Sequence, residues 1–341
     1  MANKPKITKV PKELFQPANV HDDVSEKIVK PSLSFWQDAW LRIRKNWGAI
    51  ISLFLIIIII IMAFLGPVIS GYDSEKQDTS RAYMPSRIPV LENVSWLPFD
   101  GENDDGVNEY VEKGREDEYY YFGTDRFGRD LFTRVWEGTQ ISLYIAFLAA
   151  FIDMVIGVTY GAVSGYYGGR TDNIMQRIIE ILTGIPNLIV VILMILILKP
   201  GILSITIALT ITGWTGMARV VRAQVMKLKN QEFVLASRTL GASDRRIMAK
   251  HLYPNTFGLM IINTMFTIPS AIFFEAFLSF IGLGLTPPTA SLGTLIESGF
   301  RTMRQYPENL WFPAIVLILI MICFNLLADG MRDAFDPKMR K

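Results

Sequence analysis

Cysteine is almost absent from the 341 residues: Cys323 stands alone, inside an apolar run. An intrachain disulfide is excluded, and the thiol reads as a small apolar filler. The two histidines, His21 and His251, lie far from each other and from Cys323, so no zinc-type ligand spacing arises. No Gly-x-x-x-x-Gly-Lys-Ser/Thr phosphate loop occurs, so the chain is not expected to hydrolyse ATP. Neither a Gly-x-Ser-x-Gly elbow nor a metalloprotease histidine pair is present, and no catalytic residues are expected. Acids inside apolar runs are few (Asp153, Glu180, Glu275), which argues against a carrier built on carboxylate relays. The formal net charge, 34 basic against 32 acidic residues or +2, is uninformative as a total. No nucleic-acid partner is expected.

Apolar residues, by contrast, are abundant. Half the chain is hydrophobic and its mean hydropathy is +0.29, too apolar for a soluble protein of this length. Six runs can span a bilayer: residues 50–69, 141–163, 178–198, 202–217, 257–281 and 311–328. Pro186 is expected to kink the third, and Pro269 sits in the fifth. Gly161, Gly165, Gly168 and Gly169, at the end of the second, suit close helix packing, and Trp214 suits an interfacial anchor. Before the first run, residues 34–46 read as an amphipathic interfacial helix with Trp36 and Trp40 among Arg42, Arg44 and Lys45. The tail up to Pro31 is expected to be partly disordered. No signal-peptide pattern precedes the first span. Residues 292–304 are too short and polar to span and suggest an interfacial helix.

Charge is distributed unevenly. From 219 to 251 there are eight basic residues against Glu232 and Asp244, whereas 71–138 holds sixteen acids against eight bases. By the positive-inside rule the basic stretch and both termini are cytoplasmic, and the acidic segment is extracytoplasmic. Within the basic stretch, Phe233, Ala236 and Leu240 share a helical face, and Gly241 interrupts. Ser243 can cap a second helix with Asp244 in its first turn and Ile247 and His251 or Leu252 on one face; Pro254 is expected to end it. Such a hairpin suits docking into a partner's groove, or equally a loop resting on lipid headgroups. In the acidic segment, Asn103, Asp105, Gly106 and Glu112 fall at positions three, five, six and twelve of a calcium loop, with Gly101 where an Asp is expected. A solvated acidic loop facing a docked protein is the alternative reading of residues 100–112. Asn93-Val-Ser95 fits a glycosylation acceptor and is read as chance.

Leu235-Ala236-Ser237-xxx-Gly241, nine residues, then His251-x-Tyr253-Pro254 resembles the coupling loop of permease subunits of bacterial ATP-binding-cassette importers. That pattern reads Glu-Ala-Ala, three residues, Gly, nine residues, Ile-x-Leu-Pro; here Ala236, Gly241 and Pro254 are kept. Phe122-Gly-Thr-Asp-Arg-Phe-Gly-Arg-Asp130, Leu278-Ser-Phe-Ile-Gly-Leu-Gly-Leu-Thr-Pro-Pro288 and Phe324-Asn-Leu-Leu-Ala-Asp-Gly-Met-Arg-Asp-Ala-Phe-Asp-Pro337 extend the likeness to the C-type permeases of oligopeptide, dipeptide and nickel importers. It covers about 36–70 and 121–341.

The resemblance implies an all-α polytopic membrane protein of the type I importer permease fold, with six transmembrane helices and an extracytoplasmic insert between the first two. Its divisions are a cytoplasmic tail (1–46), a first transmembrane helix (47–70), the acidic segment (71–138), a transmembrane core (139–330) holding the coupling loop (231–254), and a C-terminal tail (331–341). It also implies a heterodimer with a second permease, two cytoplasmic ATPases that carry the ATP and magnesium, an extracytoplasmic peptide-binding protein and surrounding lipid, with no cofactor on this chain. ATPase coupling would fall to Ala236, Arg238, Leu240, Gly241, Ala242, Ser243, Asp244 and Pro254. Glu275 would either line the pathway or be a structural acid paired to a polar neighbour. A self-contained channel or ion-coupled carrier is the competing class.

Overall fold

The computed structural model describes residues 35–89, 91–93, 97, 99–103 and 106–335. The tail with His21, Ser95 of the glycosylation pattern, Asp105 of the calcium pattern and the cations Lys338, Arg340 and Lys341 lie outside the described residues. Among the described residues the chain is helical, with three isolated β-bridges and no strand.

Helix α1, Phe35–Ile43, packs on the last helix of the chain, with Arg44 over the Trp40 ring at 5.6 Å. Helix α2, Trp47–Ser70, opens on Asn46, whose side chain accepts from Ala49 N, and closes on Gly71 at φ 70. Its isoleucine run stays helical because one stripe (Ile56, Ile59, Ala63) is buried while Phe54, Ile61 and Phe64 face outward. A short helix, α3 (Glu109–Glu112), lies in the insert.

Helix α4, Leu131–Tyr167, starts ten residues before the expected span. Asp130 caps it by accepting from Thr133 N at 2.9 Å. At 37 residues it runs about 55 Å, well beyond a hydrocarbon core of about 30 Å, so it carries the fold from the insert end to the opposite end.

The third expected span is corrected. It is two helices, α5 (Gly169–Thr183) and α6 (Asn187–Leu198), bent by 78° at Gly184–Pro186. Proline pushes the residue before it out of the α region, and Pro186 itself sits at ψ 128, so the helix breaks rather than kinks. Helix α7, Ile202–Leu228, continues past Met217 because Val221 and Val225 keep a buried stripe through its polar end. Trp214 is buried beside Ile179 and Ala218 rather than placed as an interfacial anchor. The hairpin helices α8 (Glu232–Thr239) and α9 (Asp244–Ile247) follow.

Pro254 does not end a helix either. From α9 the chain passes through a π-helical stretch, Met248–Leu252, straight into α10, Tyr253–Phe280. The π turn, closed by Tyr253 N–H to Met248 O, absorbs the clash and the missing donor that proline brings to its preceding turn. Helix α11, Leu292–Thr302, begins with a Ser291–Thr294 capping box, close to the short helix expected there. Helix α12, Glu308–Phe335, completes the fold.

Four helices among the described residues are long and apolar enough to cross a membrane, or up to five if the bent α5–α6 pair counts as one span. α7 is long enough but carries Thr206, Thr210, Thr212 and Thr215 with Gly213 and Gly216.

Two contacts organise the bundle. α2, α4, α10 and α12 share the main core, with Ile56, Trp136, Ile272 and Phe324 within it. α4 and α7 meet along Gly157, Gly161 and Gly165; a Cβ on Gly161 would stand 2.3 Å from Ala218 O. Gly161 and Gly165 therefore serve close approach, as small residues do between membrane helices, whereas Gly168 and Gly169, at φ +68 and +53, form the turn out of α4 and pack against no helix among the described residues.

Candidate functional site

The hairpin between α7 and α10 is built from a bend and two buried anchors. Gly241 has φ +83, with Gly241 N bonded to Arg238 O and Ala242 N to Ser237 O, the paired bonds of a Schellman stop. A Cβ there would meet nothing within 4 Å, so the position selects glycine for its backbone alone. Val234, Ile247 and Leu252 are fully buried against Ala162, Val221, Val225 and Met260. Ser237 Oγ and His251 Nε2, 3.1 Å apart, tie the two arms together.

The side chains expected to serve the hairpin fall into two groups. Phe233, Leu235 and Leu240 are exposed, Leu240 at 87%, and Ala236 and Ser243 are exposed beside them. The apolar face read from the sequence is thus the outward one. Arg238 and Asp244 instead turn to Tyr166 at the end of α4. Its hydroxyl donates to Asp244 Oδ1 at 2.6 Å and accepts from Arg238 Nη2 at 3.2 Å, while the guanidinium lies 5.6 Å from the ring centroid. Ser243 begins α9 in extended geometry, but its side chain makes no capping bond, correcting that expectation. Ala242 is half-buried, and Pro254 is exposed within the continuous helix.

Three further contacts bolt this end of the bundle together. Arg222 grips Asp172 through two bonds of 2.5 and 2.6 Å, and Ser164 donates to the same carboxylate. Lys229 Nζ donates to Gly165 O and Tyr166 O, filling carbonyls left open at the end of α4. Sequence reasoning missed Tyr166, Asp172 and Val234. Val234 hid because its helical neighbours Ser237 and Arg238 read as solvent-facing. Tyr166 lies 78 residues from Asp244, beyond any local pattern.

Glu275 lies elsewhere, fully buried within the bundle. It accepts from Ser142 Oγ at 3.1 Å and Ser279 Oγ at 2.9 Å, and Ser142 in turn accepts from Leu292 N. These bonds join α4, α10 and the start of α11. No group of three His, Cys, Asp or Glu among the described residues could hold a metal ion. In the calcium pattern, Asn103 Oδ1 accepts from Val107 N.

The insert packs around its tyrosines. Tyr110, Tyr120 and Met84 are buried together, and Tyr72 stacks on Tyr120 at 4.6 Å. Burial raises the pKa of both Tyr110 and Tyr120 far above the ordinary phenol value. Arg81 holds Glu118 with bonds of 3.0 and 2.6 Å. Phe122 on Phe312 and Tyr83 on Tyr306, stacked at 4.0 and 3.9 Å, fix the insert to α12 and to the loop before it.

The family of binding-protein-dependent transport system inner membrane components matches residues 157–341, and the N-terminal TM domain of oligopeptide transport permease C matches residues 34–85. The chain is 44% identical to the oligopeptide transport system permease protein OppC of Bacillus subtilis, over 97% of this chain and 99% of that protein. It is 43% identical to the dipeptide transport system permease protein DppC of the same organism, over 97% and 95%. The DppC of Lactococcus lactis subsp. cremoris is 46% identical, over 93% and 94%. Among solved structures, a chain of the inward facing MetNI methionine ABC transporter aligns at a TM-score of 0.48 and 20% identity, over 58% of this chain and 94% of that one. Apolar helices, a basic hairpin and these matched segments lead to one assignment: the chain belongs to the binding-protein-dependent transport system inner membrane components, the permease subunits of ABC importers, which are transport components and not enzymes.

Proposed function

We propose that this chain forms half of the translocation pathway of an ATP-driven oligopeptide importer, and that its α8–Gly241–α9 hairpin couples the pathway to ATPase subunits. One observation carries the coupling role. The hairpin exposes Phe233, Leu235 and Leu240 while its inner face is locked to α4 and α7 through Val234, Ile247 and Tyr166. An apolar crest on a rigid support suits insertion into a partner's groove.

In this reading the hairpin end is cytoplasmic and the insert extracytoplasmic, with six crossings in a type I permease fold. The partners are a second permease, two ATPases that bind ATP and magnesium, and a peptide-binding protein outside. Closure of the ATPases on ATP displaces the crest. Because Asp172–Arg222 and the Tyr166 bonds leave little slack, the ends of α4, α5 and α7 move with it. Peptide then passes from the binding protein into the opened cavity. Oligopeptide as substrate rests on the similarity to OppC proteins; the DppC relatives favour dipeptide as the second reading. Uptake of labelled peptides of graded length separates them.

The coupling role is tested by deleting residues 232–241. The shortened chain should still insert in the membrane, yet the ATPases should no longer co-purify and uptake should cease. Retained co-purification together with uptake ends the proposal.

A further inference from the structure

The seam between α4 and α7 is apolar at one end, tightly packed at the other, and polar in the middle. Toward the insert end it is sealed by Ile145 of α4 with Ile205 and Ala208 of α7. Toward the hairpin end the glycines of α4 let Met217, Ala218 and Val221 approach. Between these closures lies Asp153 of α4, only 5% exposed. Its carboxyl rests on Gly213 of α7: a Cβ there would stand 2.3 Å from Oδ2 and 2.9 Å from Oδ1. The face of α7 at this point is uncovered. Gly213 and Gly216 are both exposed, and a Cβ on Gly216 would meet nothing within 4 Å.

Asp153 stands without a partner. No hydrogen bond or neighbouring charge among the described residues acts on it, and of its two oxygens only Oδ1 is wholly enclosed. Glu275, also buried, accepts from two serine hydroxyls; Asp153 accepts from none. The surrounding helices offer no cation at this depth. α4 has no Lys, Arg or His after Arg134, α7 has none before Arg219, and α10 has none at all. Thr206, two helical turns before Gly213 on the same face of α7, has a buried hydroxyl that is unpartnered as well. An acid inside a membrane helix is costly unless it is paired, so the complement of Asp153 comes from outside this chain. It arrives over the glycines, where Oδ2 lies against the exposed surface of α7.

We infer that Asp153 is a binding point for a cationic amine inside the pathway, and that the amine it takes is the N-terminal ammonium of a peptide in transit. A peptide with a free N-terminus carries that group whatever its side chains, so one carboxylate can recognise it without regard to sequence. The bond is charge-assisted, the stronger class of hydrogen bond. Glycine at 213 keeps the approach to Oδ2 clear, and the open space over Gly216 leaves room for the peptide backbone. The inference deepens the proposed function and rests on its choice of peptide as cargo.

The test uses the purified complex of permeases and ATPases without the binding protein, and measures binding of labelled trialanine against N-acetyl-trialanine. The free amine should bind on the order of tenfold more tightly, the size of one charge-assisted contact. Asp153→Asn keeps the shape and removes the charge, and should bring the two peptides within about threefold of each other. Its melting temperature should not fall, because no pairing within the chain is lost. Gly213→Ala, whose methyl would push Oδ2 from its place, should narrow the difference too, and stands in should Asp153→Asn fail to assemble. Equal binding of the two peptides by the unaltered complex, or binding of neither, overturns the inference. So does a preference for the free amine that survives Asp153→Asn. If Asp153→Asn instead loosens the two permeases from each other and leaves peptide binding as it was, the cation belongs to the second permease and the inference fails as well. A complete importer, with binding protein and ATP, that takes up no peptide refutes the functional reading itself, a separate outcome.

Discussion

The two ends of the molecule invert what their charge totals suggest. The hairpin end is rich in bases, yet several are already engaged: Arg222 on Asp172, Lys229 on the last carbonyls of α4, and Arg238, itself exposed, on Tyr166. What it offers outward is an apolar crest flanked by Arg245, Arg246 and Lys250. The insert end is rich in acids, yet a cavity beside it, between the start of α4 and α11, is lined by arginines in excess. The sign of a segment helps fix which side of the membrane it lies on, because insertion depends on charge in the unfolded loop. The sign of a binding surface depends on which charges folding leaves unpaired.

The sharpest way to break this contrast is at Arg222. Arg222→Ala leaves Asp172, 9% exposed at its side chain, with its hydroxyl contact and only the longer-range charge of Lys229. Loss of about 2–3 kcal/mol is expected, below the roughly 3–5 kcal/mol of a fully buried broken pair, because Arg222 is 28% exposed. Thermal unfolding of the purified importer should show it, and ATP hydrolysis should become partly uncoupled from uptake. An unchanged melting temperature would mean that the bases at this end are surface charge after all.

Tyr166→Phe is milder. It removes one hydroxyl that serves both Asp244 and Arg238, and should cost about 1–2 kcal/mol of hairpin attachment. ATPase binding should persist through the exposed crest while uptake per ATP falls. If both fell together, Tyr166 would be holding the crest in shape rather than transmitting its motion. Gly241→Ala comes next: with open space around it, the cost is only that of positive φ, about 1 kcal/mol, read as weaker ATPase co-purification.

Much of this was legible in the sequence, for stated reasons. Apolar runs mark helices in a bilayer because nothing else satisfies the backbone there; five of the six runs form continuous helices, and the third is split at Gly184–Pro186. Gly241 was legible because a glycine between two short helical patterns has few other uses. What escaped was set by backbone geometry that residue type alone does not specify. Pro254 reads as a stop by local rules, but a π turn just before it let the helix continue. Pro186 reads as a kink, but Gly184 and Ile185 beside it let the chain break fully. In the insert, the acids dominate the count and conceal the tyrosines that form its core; Tyr72, Tyr110 and Tyr120 follow no strand or helix period.

The smallest expected effect tests the other half of the comparison, the internal pairing of the insert. Burial alone would raise the Glu118 carboxyl, but hydrogen bonds from Arg81, its charge and that of Arg115 outweigh this and hold it below the usual glutamate value. A carboxylate with a depressed folded pKa adds stability that is complete above its unfolded pKa, near 4.5, and is lost as pH falls through the folded value. The insert should therefore resist protease at neutral pH and loosen only once pH falls below the unfolded value near 4.5, by roughly 1 kcal/mol or less, since both partners are partly solvated. In Glu118→Gln that acid-dependent step should be missing, and the insert should be slightly less protected at every pH. If the variant and the unaltered protein loosen in parallel on acidification, the arginine–acid pairs are not what holds this end together, and its tyrosine core must do so without them.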